Sequence, residues 1–287
     1  MKFKIGNKVK LNLSEIYENG EISSELDKFL ENISVSKNGP FTIKDIEQTL
    51  PAPYILAEFP ESSFYDNELE IALDEITPYI DHTCLSVTAT DKDIRLTARK
   101  AAENNTASVC VASSNLDIVI DELSKINSST SVCCVVGFPH GNTSTDTKIF
   151  EAQNAVMHGA NEIDFVVNIG WIKSNRWDDV SREIYKIKNT LNNNILLKVI
   201  VETSLLTMEE KVAICNMCID NNVDFIKTST GFSTGGATVE DIRLFNNIIK
   251  RRKSPMKIKA SGGISDVNFA MELINAGASR IGSSRLI

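Results

Sequence analysis

Two lysines stand where a lysine is costly. Val223-Asp224-Phe225-Ile226-Lys227 and Met256-Lys257-Ile258-Lys259 are short apolar runs that end in lysine and break into small-residue loops, Thr228-Ser229-Thr230-Gly231 and Ala260-Ser261-Gly262-Gly263. Buried parallel strands are near-continuous apolar runs, so a charge there must be paired or put to chemical use. On neighbouring strands, each ammonium would disfavour protonation of the other and lower its pKa. A neutral lysine adds to an aldehyde or ketone, and loss of water gives a Schiff base, an electron sink for making or breaking a carbon–carbon bond. Against a reference lysine pKa of about 10.4, reactivity near pH 7 asks for a depression of about three units, or roughly 4 kcal/mol.

Such chemistry needs a carboxylate to move protons. In Glu162-Ile163-Asp164-Phe165-Val166, Asp164 is flanked by apolar residues, and in Leu197-Lys198-Val199-Ile200-Val201-Glu202 the period-two alternation of a strand puts Lys198 and Glu202 on one side. Any one of these charges could be a plain salt-bridge partner. Four adjacent strands each carrying an ionisable group suggest a site instead.

The elements that would position them begin at Tyr79. Apolar stretches start near Tyr79, Thr106, Ser131, Glu162, Ile195, Val223, Met256 and Arg280, and amphipathic segments at 91–104, 114–126, 145–158, 178–191, 207–221, 238–251 and 266–276 alternate with them. Thr207-Met208-Glu209-Glu210 and Thr238-Val239-Glu240-Asp241 carry a capping residue and first-turn acids. Eight strands alternating with helices predict an α/β chain folded as a parallel (β/α)8 TIM barrel, with a doubly wound open sheet as the alternative. An open nucleotide-binding sheet should show a glycine-rich turn after its first strand; here that turn is Asp81-His82-Thr83-Cys84. The glycines cluster after the late strands, at Gly231, Gly235-Gly236, Gly262-Gly263 and Gly282, where barrels commonly bind phosphate. No final helix follows the eighth strand before Ile287.

Residues 1–78 hold 7 Lys+Arg against 15 Asp+Glu, a charge of 7 − 15 = −8, and residues 79–287 are neutral, 23 against 23. The chain is thus read as an acidic, partly helical extension, 1–78, with short helices at 22–32, 43–50 and 67–76, preceding the barrel, 79–287. The extension reads as a solvated appendage or a cover for one end of the barrel, or else as a contact surface for another protein or subunit. Its charge argues against nucleic acid. No run approaches the roughly 18 apolar residues of a membrane span, and the N-terminus lacks a signal-peptide core, which makes a cytoplasmic location the default. Six cysteines in 287 residues do not form a disulfide framework. Cys215 and Cys218 have C-x-x-C spacing but read as small buried thiols, because zinc needs about four ligands and no histidine is near.

Seven blocks, in order, give the chain between about Tyr79 and Ser284 a close resemblance to 2-deoxyribose-5-phosphate aldolases, class I enzymes built on the (β/α)8 barrel. They are Asp81-His82-Thr83, Gly137-Phe138-Pro139-His140-Gly141, Glu162-Ile163-Asp164, Lys198 to Thr203, Lys227 to Thr238, Lys259 to Ile264, and Arg280-Ile281-Gly282. The resemblance implies that Lys227 forms the Schiff base, that Lys259 is the neighbour that lowers its pKa, and that Asp164 relays protons. It implies that Asp81, Thr83 and Cys110 line the substrate pocket, and that Thr230, Gly231, Gly262, Gly263 and Ser284 hold substrate, chiefly its phosphate. The implied reaction is reversible cleavage of 2-deoxy-D-ribose 5-phosphate in deoxyribonucleotide catabolism, with no metal or organic cofactor, in a homodimer or homotetramer. Arg285 follows Ser284 where many relatives have a serine, and its guanidinium suits a phosphate. Other readings are an aldolase-fold protein that mainly binds a partner, and a Schiff-base aldolase for another aldehyde.

Overall fold

The computed structural model describes residues 8–11, 41–46, 54–56, 59–64, 69–71 and 73–287. The chain divides into two compact units, Met1–Ile76 and Thr77–Ile287. In the first, β1 (Lys8–Leu11), β2 (Phe41–Ile46), β3 (Tyr54–Leu56), β4 (Phe59–Phe64) and β5 (Leu69–Ile71) form an antiparallel sheet of order β4-β3-β2-β1-β5. Helices were expected at 43–50 and 67–76; among the described residues, strands occupy Phe41–Ile46 and Leu69–Ile71, and a single 3-10 turn, Leu73–Glu75, is helical. Phe41-Thr42-Ile43 is β-branched and aromatic, and its apolar spacing fits either period, so pairing with β1 and β3 decides. The expected helix at 22–32 lies outside the described residues.

The second unit is a closed parallel barrel, in the order β10-β11-β12-β13-β6-β7-β8-β9. Its strands are β6 (Ile80–Cys84), β7 (Ser108–Val111), β8 (Ser131–Val136), β9 (Glu162–Val166), β10 (Leu196–Ile200), β11 (Phe225–Lys227), β12 (Lys257–Ser261) and β13 (Arg280–Ser283). Between them run α1 (Asp91–Glu103), α2 (Leu116–Lys125), α3 (Thr145–Met157), α4 (Ile169–Lys173), α5 (Trp177–Thr190), α6 (Met208–Asp220), α7 (Val239–Arg252) and α8 (Val267–Ala276). The expected alternation is present; the short α4 was not foreseen. No helix follows β13 among the described residues.

The helices sit where they do for local reasons. In α5 the buried residues Val180, Glu183, Ile184 and Ile187 fall at positions i, i+3, i+4 and i+7, one face turned to the barrel. Thr207 closes a capping box with Glu210, and the Thr238 hydroxyl accepts from the Asp241 amide, worth about 1 kcal/mol each. Cys215 and Cys218 are buried in α6, where burial pushes the Cys215 thiol up to about 12.

One buried ion pair ties helices to loops. Lys148 on α3 is fully buried, and its Nζ donates to Gly141 O at 2.7 Å, Val166 O at 2.8 Å and Glu183 Oε1 at 2.9 Å. It therefore pins the loop after β8 and the end of β9 to α5. Burial pushes Lys148 down and Glu183 up, only partly countered by their mutual attraction. Breaking a buried pair leaves an uncompensated charge. Lys148→Met should accordingly lose about 3–5 kcal/mol of unfolding free energy in urea titrations, while Lys148→Met combined with Glu183→Leu should recover most of it.

Candidate active site

Alternation along the barrel strands turns one set of side chains to the axis. Register places Lys198 beside Asp164, Lys227 beside Lys259, Lys259 beside Arg280, Gly282 beside Asp81, and Cys110 beside Cys133. Seven charged groups meet there. Asp164 Oδ2 accepts from Lys227 Nζ at 2.8 Å and from Lys259 Nζ at 2.7 Å, and Asp164 Oδ1 accepts from Lys198 Nζ at 2.7 Å. Lys259 also reaches Asp81 Oδ2 at 2.5 Å, and Lys198 reaches Glu162 Oε2 at 2.5 Å. Arg280 closes the base, with Nη1 2.6 Å from Asp81 Oδ1 and Nη2 3.0 Å from Glu162 Oε1.

The electrostatics follow from these contacts. Burial alone pushes Lys259 down, but Asp164 and Asp81 reverse this and hold it well above the ordinary lysine range. The mutual depression expected of the two lysines therefore fails for Lys259, because carboxylates lie between it and the other cations. Lys198 is likewise held up against burial by Asp164, with Cys133, Asp81 and Glu162 contributing. For Asp164 and Asp81, burial is overcome by Lys198, Lys227 and Lys259 in the first case, and by Lys259, Lys198 and Arg280 in the second; both stay far below the usual carboxylate range.

Above the cluster opens a cavity of about 790 Å³, lined by Thr83, Lys227, Thr230, Gly231, Gly262, Gly263 and Ser284 among others. Lys227, about 3% exposed, belongs to both the cluster and the cavity, whereas Lys259, Asp164, Asp81 and Cys110 are fully buried. Asp81 and Cys110, expected on the pocket wall, thus sit in the layer below it, Cys110 packed with Cys133 and Val135. Glu202 does not share a face with Lys198. The strand ends at Ile200, Glu202 turns to a φ of 51°, and its carboxylate accepts from the Thr230 hydroxyl at 2.5 Å and amide at 3.2 Å.

Close backbone approach shapes the loops. A Cβ on Gly236 would stand 2.2 Å from Gly262 O, and Gly262 itself has a φ of +86°. Gly282 leaves room for the site lysine, since a Cβ there would lie 3.1 Å from Lys259 Cε. No Asp or Glu lines the cavity among the described residues; its cations are Lys227 and Arg285. Donor atoms of Cys110, Cys133 and Asp164, and of Asp81, Cys133 and Glu162, lie within 4.8 Å of one another. Both carboxylate sets are already engaged by Lys198, Lys259 and Arg280, so a metal ion would have to displace ammonium or guanidinium groups.

The DeoC/LacD family aldolase model matches residues 76–284. The chain belongs to this aldolase family. Among curated members, it is 44% identical over 210 residues to the deoxyribose-phosphate aldolase of Histophilus somni strain 2336, covering 73% of this chain and 91% of that protein. The Clostridium botulinum strain Alaska E43 protein of the same name is 45% identical over 215 residues, 74% of this chain and 93% of that one. Among solved structures, the aldolase QR15 superposes with a TM-score of 0.69 at 39% identity, covering 74% and 92% of the two chains. The tetrameric deoxyribose phosphate aldolase of Aeropyrum pernix gives 0.68 at 28%, covering 75% and 89%.

One residue of this aldolase barrel responds to mild acid. His82 on β6 is 4% exposed and lines the cavity, its Nδ1 is without a hydrogen-bond partner, and burial, aided by Lys100, pushes it from 6.5 down to about 4. The unfolded chain binds this proton first, so the contribution of neutral His82 is complete above pH 6.5 and is lost as pH falls toward 4. Unfolding free energy should drop by about 2 kcal/mol between pH 7 and pH 5 through this group. His82→Leu should flatten that part of the profile.

Proposed function

We propose that the chain is a class I aldolase that reversibly cleaves 2-deoxy-D-ribose 5-phosphate to D-glyceraldehyde 3-phosphate and acetaldehyde. The observation that carries this reading is the shared Asp164 carboxylate, bonded to two neighbouring lysines of which one, Lys227, reaches the cavity. The Lys227 amine adds to the aldehyde carbon, and loss of water leaves an iminium. Removal of the proton from the C3 hydroxyl then breaks the C2–C3 bond, its electrons pass into the iminium to give an enamine, and the three-carbon aldehyde departs. Protonation of the enamine at C2 and hydrolysis release acetaldehyde and restore the amine. Lys259 and Asp164 adjoin the Lys227 nitrogen and hold and pass the protons these steps need. None of these steps consumes a cofactor.

The cavity suits an anionic sugar. It has Lys227 at its floor, Arg285 at its exposed edge, and small hydroxylic and glycine residues between them. In this reading Gly231, Gly262, Gly263, Ser284 and Arg285 receive the phosphate, and Thr83 and Thr230 face the sugar. We place the enzyme in the cytosol as a homo-oligomer. Six unpaired cysteines suit a reducing compartment, and the Aeropyrum pernix relative is a tetramer. Among the described residues, no helix is long and apolar enough to cross a membrane.

Incubation with deoxyribose 5-phosphate, borohydride reduction and peptide mapping should find the adduct on Lys227; its absence from folded protein would sink the reading. Lys227→Leu should abolish both adduct and turnover, and Lys259→Leu should lower kcat by about 10²-fold or more. Arg285→Ala should raise KM for the phosphorylated sugar by about tenfold or more, the worth of one charge-assisted hydrogen bond. It should leave KM for unphosphorylated deoxyribose unchanged.

A further inference from the structure

The ion pairs under the cavity close on themselves. Asp81 pairs with Arg280 at 2.6 Å, Arg280 with Glu162 at 3.0 Å, Glu162 with Lys198 at 2.5 Å, Lys198 with Asp164 at 2.7 Å, Asp164 with Lys259 at 2.7 Å, and Lys259 with Asp81 at 2.5 Å. Three carboxylates and three cations alternate around this ring, 3 − 3 = 0, and five strands contribute to it. Five of the six side chains are at most 2% exposed, and Arg280 is at 15%. Lys227 stands outside, attached through its 2.8 Å contact with Asp164.

We propose that Lys198, Glu162 and Arg280 are positioning residues of this aldolase: with Asp81 they complete a neutral ring that fixes the placement and charge of Asp164 and Lys259. The proposal rests on Lys227 being the Schiff-base lysine. During turnover Lys227 passes through ammonium, neutral amine and iminium, and a ring balanced without it holds its geometry through every state. A cluster that needed the charge of Lys227 would instead be left with an uncompensated buried carboxylate whenever that amine was neutral, at a cost large enough to rearrange it. The pKa directions agree, since Asp81 and Asp164 are held low while Lys198, Lys259 and Arg280 are held high. Among the described residues, Cys110 and Cys133 also face the ring, from β7 and β8, and Cys133 Sγ donates to Asp164 Oδ1 at 3.1 Å.

The test uses a readout independent of the sugar. Modification of Lys227 by trinitrobenzenesulfonate, located by mass spectrometry, is followed against pH in wild type, Lys198→Met, Glu162→Gln and the double variant. Lys198→Met removes a positive charge and should move the onset of reactivity up by about one pH unit. Glu162→Gln removes a negative charge and should move it down, and the double variant, again neutral, should return close to wild type. In turnover, Lys198→Met should lower kcat at least about tenfold with KM within about threefold. Both single variants shifting the same way, no shift in either, or a double variant no nearer wild type would overturn the ring. Should the single variants fail to fold, a double variant that regains the wild-type melting temperature supports the ring, and one as unstable as the singles rejects it. Wild type without turnover of deoxyribose 5-phosphate would reject the substrate reading, and the labelling profiles would still decide the ring.

Discussion

The Asp164 carboxylate takes three ammonium groups within 2.8 Å inside a closed barrel. Burying even one charge is costly without partners of good geometry, so this contact constrains everything near it. Lys198, Lys227 and Lys259 must come from three consecutive strands in fixed register. The strand beside Lys259 carries glycine at position 282, where a Cβ would stand 2.9 Å from Ser261 Cβ and 3.1 Å from Lys259 Cε. The excess of cations around Asp164 must be met by further carboxylates, which Glu162 and Asp81 supply from the layer below.

Rigidity reaches the loops above by separate means. Glu202 accepts from both the amide and the hydroxyl of Thr230, and so fixes the start of the loop that follows Lys227. Gly236 and Gly262 pack backbone against backbone, with Ala237 N donating to Gly262 O at 3.1 Å, which joins the two loops that follow the site lysines. On the opposite side, Lys148 and Glu183 hold the loop after β8, whose Phe138 meets Phe232 edge to face at 5.3 Å. The floor of the cavity is therefore set by ion pairs, and its rim by hydrogen bonds and ring packing.

The sequence made the barrel legible because its strands are apolar runs and its helices carry both period and caps; Thr207 and Thr238 cap as their types suggested. Lys227, Lys259 and Asp164 stood out because a charge closing or interrupting an apolar strand is rare. What pairs with what was not legible. Arg280 and Glu162 are 118 residues apart and meet only through barrel closure, and nothing in the helical segment at 145–158 marks Lys148 as buried. Glu202 was misplaced because period-two reasoning was carried past the end of its strand. In residues 41–46 and 69–71, short apolar runs served two periods equally, and only partners distant in sequence chose strand over helix.

Lys227 and Lys259 share a register position and a residue type, so neither strand position nor residue type explains why the proposed mechanism makes one of them the nucleophile. Their partners do. Lys259 lies between two carboxylates, is fully buried and stays charged. Lys227 has one carboxylate, shares that oxygen with Lys259, and opens onto the cavity. A strongly paired ammonium is a poor nucleophile but a suitable proton holder, and the lysine that faces the cavity is the one a carbonyl can approach. In the proposed mechanism, the division of labour between two like residues follows from how many carboxylates each one meets.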